Sequence, residues 1–128
     1  VVDFDGLLEK SDFLVITAPL NEKSHHLFDL KAFERMKTSA ILVNIGRGPV
    51  IKEVDLIAAL ETNLITAVAL DVFEMPPNVA EQLKTRVNVT LTPHLGSATT
   101  EARSRMSDLV IDAILDVHEG RVPNYVVS

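Results

Sequence analysis

The chain has 128 residues, 47% of them apolar, with mean hydropathy +0.22, which is enough for one core-bearing domain and too apolar for a disordered one. A formal net charge of −6, a pI near 5.1 and the lack of any Lys/Arg cluster argue against a nucleic-acid partner. The absence of cysteine excludes disulfides and thiolate metal sites and suits a reducing compartment, here the cytoplasm; no apolar stretch approaches membrane-spanning length, and no metal site is expected.

The chain opens on Val1-Val2 without an initiator Met or a signal-peptide pattern, as expected of a piece of a longer protein. Four apolar runs follow, at 13–17 (FLVIT), 40–44 (AILVN), 67–71 (AVALD) and 87–91 (VNVTL). Helical patterns alternate with them: a short one at 5–10, one at 29–36 with Asp29 as N-cap, and one at 53–61 with Val54, Ile57 and Leu60 as its apolar stripe. Residues 74–86 are expected to be mostly loop, since Pro76-Pro77 interrupts regular structure at its start. The longest helix is expected over 99–119, capped near Thr99 or Thr100 and stopped by Gly120. Met106, Leu109, Val110, Ala113, Ile114 and Val117 form its apolar face. Strands spaced in this way, with helices between, predict βαβ units and part of a doubly wound parallel sheet of about four strands, with helices on both faces and a long C-terminal helix. FLVIT has the composition of a central strand, yet nothing before it can pair with its second edge.

In such a sheet, ligands bind beyond the carboxyl ends of the strands. The first run is followed by Ala18-Pro19-Leu20 and then Ser24, and the third ends on Asp71. The second leads through Asn44-Ile45-Gly46 to Arg47, which stands between two glycines. Gly46 and Gly48 are expected to give the backbone conformations closed to other residues, aiming Arg47 from a tight bend. A guanidinium there suits bidentate capture of a carboxylate or phosphate, although a solvated loop arginine paired with a nearby acid fits the pattern equally well. The fourth run enters Thr92-Pro93-His94-Leu95-Gly96-Ser97. A strand-end histidine is more often structural than catalytic, and Asp71 by itself is also compatible with a turn cap. Arg47 and His94 on neighbouring strand ends are more telling: an anion clamp beside a proton donor. His25, His26 and His118 have the setting of surface residues.

Three motifs in order, 36–48 (MKTSAILVNIGRG), 69–74 (ALDVFE) and 92–99 (TPHLGSAT), resemble the D-isomer-specific 2-hydroxyacid dehydrogenases, and the last is similar to the glyoxylate/hydroxypyruvate reductase branch. The resemblance covers essentially the whole chain. It implies that residues 1–128 are the C-terminal portion of a dinucleotide-binding domain, without the glycine-rich phosphate loop and most of the substrate domain, from an enzyme that is a homodimer when complete. It also implies NAD or NADP as cofactor and a small 2-oxo or 2-hydroxy acid as substrate. In those terms Arg47 holds the substrate carboxylate and His94 is the general acid in reduction. Asp71 accepts from the nicotinamide carboxamide; Ala18, Pro19 and Leu20 line the adenosine side; Ile45, Gly46, His94 and Gly96 touch the cofactor.

One departure stands out. The family pattern D-V-F-E-x-E-P supplies a second Glu that hydrogen-bonds the catalytic His, whereas this chain has Pro76 at that position. Glu74, two residues earlier, is the nearest acid, and the prolines after it restrict its reach. The substitution leaves a rival reading in place: a non-catalytic nucleotide-binding or interaction protein, or an inactive fragment, of the same fold.

Overall fold

A computed structural model of the chain describes residues 1–126. Four parallel strands, β1 (Phe13–Ile16), β2 (Ile41–Asn44), β3 (Ala67–Leu70) and β4 (Val89–Leu91), form one sheet in the order β1-β2-β3-β4. The register pairs Ile16 with Asn44, Asn44 with Leu70 and Leu70 with Leu91, so all four strands finish at the same end of the sheet. Around them run α1 (Phe4–Lys10), α2 (Leu30–Arg35), α3 (Glu53–Glu61) and the short α4 (Glu81–Lys84). These belong to a compact unit, Val1–His94; α5 (Thr100–His118) belongs to a second unit that begins at Leu95.

Because the strand order follows the sequence without reversal, connections of one hand all cross the same face. The burial pattern agrees. Leu14, Ile16, Leu42, Val68 and Leu70 are buried with Leu8 of α1, Phe33 of α2 and Leu56, Ala59 and Leu60 of α3 in one cluster. On the opposite face Phe13 and Val15 are 71% and 54% exposed. The α/β class and the parallel sheet of four strands are as expected. β1 stands at the sheet edge with Phe13 and Val15 exposed, in keeping with the lack of a partner before it among the described residues.

The α2 start is as expected, since the Asp29 side chain accepts from Ala32 N–H at 3.0 Å. The stripe of α3 is rotated from its expected position. Leu56, Ala59 and Leu60 are buried while Val54 is exposed, because i, i+3, i+4 neighbours of Leu56 share its face and Val54 does not. The fourth strand starts two residues late. Val87 is exposed, and Asn88 forms the junction, its carbonyl accepting from Val68 N–H and its amide donating to Thr66 O. The stretch after β3 is mostly irregular, and α4 within it buries Leu83. In the second unit the Thr99 hydroxyl caps α5 by accepting from Ala102 N–H at 3.1 Å, and Gly120 follows its C-terminus. None of the described residues of α5 is buried, so its predicted apolar face is exposed.

Candidate functional site

The exit of β2 is built by one side chain. Asn44 is fully buried; its Oδ1 accepts from Gly46 N–H at 3.0 Å and its Nδ2 donates to Arg47 O at 3.1 Å, an Asx-type closure of the bend. The two glycines matter for closeness rather than for unusual backbone angles, contrary to expectation, since neither has a positive φ. A Cβ on Gly46 would lie 2.9 Å from Ala18 O, and one on Gly48 only 1.7 Å from Phe73 O. Arg47 precedes a single 3₁₀ turn, Gly48–Val50, and its exposed side chain donates from Nη1 to Gly46 O at 2.8 Å.

Asp71, at the exit of β3, is buried, with its N–H donating to Asn44 O at 3.0 Å. Its Oδ1 accepts from the Thr92 hydroxyl at 2.6 Å, which ties the exits of β3 and β4 together. His94 follows Pro93 with φ +56°, and its N–H donates back to Thr92 O at 3.1 Å, closing a three-residue turn. Histidine is among the few non-glycine residues enriched in this left-handed region, and strained backbone of this kind concentrates at functional positions. The imidazole is exposed.

Arg47, Asp71 and His94 line one cleft of about 600 Å³, within the range of small-molecule sites. Val72, Phe73 and Leu91 give it an apolar wall, and Pro76 lies on its rim. Ala18, Pro19 and Leu20 do not line this cleft. They form the loop after β1, where the buried Ser24 hydroxyl donates to Pro19 O at 2.7 Å and accepts from Asn21 N–H at 2.8 Å. Ile45 and Gly46 also lie outside the cleft lining: Ile45 is half-exposed, with its N–H donating to Ile16 O, and Gly46 packs on the Ala18 carbonyl. Gly96 belongs to the second unit.

Glu74 and His26 meet beside the cleft in a contact that the sequence does not signal. Glu74 lines the cleft, but its carboxylate is engaged elsewhere: Oε1 lies 2.6 Å from His26 Nε2, and Oε2 accepts from Glu53 N–H at 2.8 Å. His26 is therefore not a surface residue. It is half-buried, at φ +52°, with its N–H donating to Pro49 O at 2.8 Å. Burial and, after it, the charge of Glu74 push the Glu53 carboxyl above its ordinary value, and Glu53 Oε1 is buried without a hydrogen-bond partner. The hint in the sequence was the left-handed preference of His at a loop position, which says nothing about a partner far away in the chain.

A parallel α/β sheet whose strand exits gather an arginine, a carboxylate and a histidine around one cleft has the arrangement of ligand-binding α/β domains. The chain belongs to the D-isomer specific 2-hydroxyacid dehydrogenase family, whose NAD-binding-domain model matches residues 1–96. It is 46% identical over 127 residues to a protein from Staphylococcus aureus strain MRSA252 whose name assigns it provisionally to the 2-hydroxyacid dehydrogenases, a match covering 99% of this chain and 40% of that one. Among solved structures it is similar to a D-lactate dehydrogenase with NAD+ from Lactobacillus jensenii, at 28% identity and TM-score 0.90, covering 99% of this chain and 42% of that one. It is likewise similar to an NADPH-dependent glyoxylate/hydroxypyruvate reductase from Sinorhizobium meliloti, solved with NADP and malonate, at 34% identity and TM-score 0.85, covering 88% and 35%. No helix among the described residues is long and apolar enough to cross a membrane.

Proposed function

We propose that the chain is the C-terminal portion of the dinucleotide-binding domain of a longer, NAD- or NADP-dependent 2-hydroxyacid dehydrogenase. Its substrate is a small 2-oxo acid of the glyoxylate or hydroxypyruvate type, reduced to the D-2-hydroxy acid. The observation that carries this reading is the gathering of Arg47, Asp71 and His94 around one cleft. The residues fit a nicotinamide: a buried carboxylate stands at the exit of β3 beside the apolar Val72 and Phe73. When bound, the reduced dinucleotide supplies a hydride to C2 of the oxo acid. The Arg47 guanidinium, a planar fork of N–H donors, holds the carboxylate and draws electron density from the neighbouring carbonyl. His94 gives the carbonyl oxygen its proton, so hydride and proton together convert C=O to CH–OH. Asp71 accepts from the carboxamide, while Ala18, Pro19, Leu20, Ile45, Gly46 and Gly96 contact the rest of the cofactor. The match to the S. meliloti reductase supports the glyoxylate type, the lack of cysteine supports the cytoplasm, and the family resemblance supports a homodimer.

A second reading, a dinucleotide binder without turnover, is favoured by one observation. Pro76 stands where the family pattern has the acid that partners the histidine, and Glu74 is committed to His26 and Glu53. Assaying NADH and NADPH oxidation by the longer protein with glyoxylate and hydroxypyruvate separates the two. Turnover is expected, and Arg47→Lys should lower kcat/KM about 100-fold, since a point charge cannot make the two-pronged contact. Cofactor binding without turnover establishes the second reading; a loss under about threefold removes Arg47 as anchor.

A further inference from the structure

The turn that presents Arg47 is gripped from outside by contacts that converge on one carboxylate. Glu74 Oε1 lies 2.6 Å from His26 Nε2, and Glu74 Oε2 accepts from Glu53 N–H at 2.8 Å, so a single side chain joins the β1–α2 loop, the start of α3 and the segment after β3. Each of these also holds the Arg47 turn. His26 N–H donates to Pro49 O at 2.8 Å, Phe28 N–H to Val50 O at 3.0 Å and Lys52 N–H to Phe28 O at 3.0 Å, zipping the loop along residues 49–52. From the other side the Phe73-Glu74 peptide packs so closely on Gly48 that a Cβ has no room. Arg47 thus heads a segment clamped between His26 and Glu74, and the pair closes the clamp.

We propose that His26 and Glu74 are a positioning pair for Arg47: their hydrogen bond fixes the turn that aims the guanidinium into the cleft, and so sets the affinity for the 2-oxo acid carboxylate. This rests on the function proposed above for Arg47. Neither residue touches the substrate through this contact; both act through the backbone of residues 47–50. His26 is suited to the task twice over. Its backbone at φ +52° is one that histidine tolerates better than most residues, and its Nε2 reaches a carboxylate 48 residues away in sequence.

The test uses the longer protein in three forms: parent, His26→Asn and His26→Gln. Asparagine tolerates the left-handed backbone but is too short to reach Glu74, so it removes the pair without adding strain. Glutamine carries a donor at about the place of Nε2. The expected result is a roughly tenfold rise in KM for glyoxylate in His26→Asn, with NADH affinity within about twofold of the parent and His26→Gln restoring KM to within about threefold. Amide hydrogen exchange over residues 47–50 should also quicken in His26→Asn and recover in His26→Gln. Unchanged KM and exchange in His26→Asn overturn the proposal. So does a parallel loss of NADH affinity, thermal midpoint and KM that glutamine does not rescue, because that marks a general fold element. If the parent turns over no 2-oxo acid, the exchange result still decides the pairing role, and only the dehydrogenase reading fails.

Discussion

The turns that carry Arg47 and His94 lie on the same cleft but are held in opposite ways. The Arg47 turn is fixed by the buried Asn44 amide from within, by His26 on one side and by the Phe73-Glu74 peptide on the other. The His94 turn is closed by the backbone bond from His94 N–H to Thr92 O, with a left-handed residue at its end, and the Thr92 hydroxyl is tied to Asp71. An anchor for a carboxylate must be stationary, because its value lies in holding the substrate in register with the hydride donor. A group that gives and takes a proton needs access and a suitable tautomer more than rigidity. Changes around Arg47 should therefore cost stability and activity together, whereas a change at His94 should cost activity alone.

The largest effect is expected at Gly48. A Cβ there meets Phe73 O at 1.7 Å, Phe73 C at 2.0 Å and Glu74 N at 2.6 Å, all backbone atoms with no rotamer to yield. Gly48→Ala should cost more than about 4 kcal/mol and give protein that is insoluble or lacks a cooperative unfolding transition. A soluble variant with a near-parental melting curve would mean that the two segments are not clamped as described. Next comes His94→Asn in the longer protein. Asparagine accepts the left-handed backbone but offers no proton at the same place, so kcat should fall roughly 10²–10⁴-fold while the thermal midpoint stays unchanged. A fall in stability as large as the fall in rate would erase the contrast between the two turns. Asn44→Ala should fall between, leaving Gly46 N–H and Arg47 O without their buried partner at a cost of about 2 kcal/mol in chemical denaturation. It should also raise KM for the 2-oxo acid, unlike His94→Asn; a destabilised variant with parental KM would separate the turn from substrate binding.

What the sequence made legible followed from local pattern. The strand exits were found because apolar runs stop at polar or turn-forming residues, and that placed Arg47, Asp71 and His94 correctly at one end of the sheet. Gly48 was marked by position but for the wrong reason, because a close approach by Phe73, distant in sequence, leaves no local signature. His26 has the polar sequence neighbours of a surface residue, and its partner is 48 residues away. The period of α5 showed that one face is apolar without showing what it packs on; Leu109, Val110 and Ile114 are exposed. The stripe of α3 failed for a related reason: more than one apolar line fits a nine-residue helix, and the sheet beneath selects Leu56, Ala59 and Leu60.

The smallest effect concerns Glu53, at the outer end of the clamp. Its carboxyl is pushed above the ordinary value, first by burial and then by the charge of Glu74, and a hydrogen bond involving Glu74 offsets this in part. A carboxyl whose value is higher in the folded than in the unfolded chain holds its proton longer when folded. Between those two values the folded state binds more protons, so stability falls as pH rises through that window and stays lowered above it. Below the unfolded value both states are protonated and the penalty is absent. Glu53→Gln keeps the shape and the N–H that Glu74 accepts from, and removes the charge that costs stability. The variant should match the parent in acid and exceed it at neutral pH, by no more than about 1 kcal/mol once solvent screening of this half-exposed group is allowed for. Thermal midpoints measured for both proteins across that range check this. A variant less stable than the parent at neutral pH would show that the Glu53 carboxylate is satisfied by a contact that its buried Oε1 lacks here. If the pair is instead sensitive to its surroundings, the gain should shrink when His26→Asn is added, because the freed Glu74 carboxylate can then move away from Glu53.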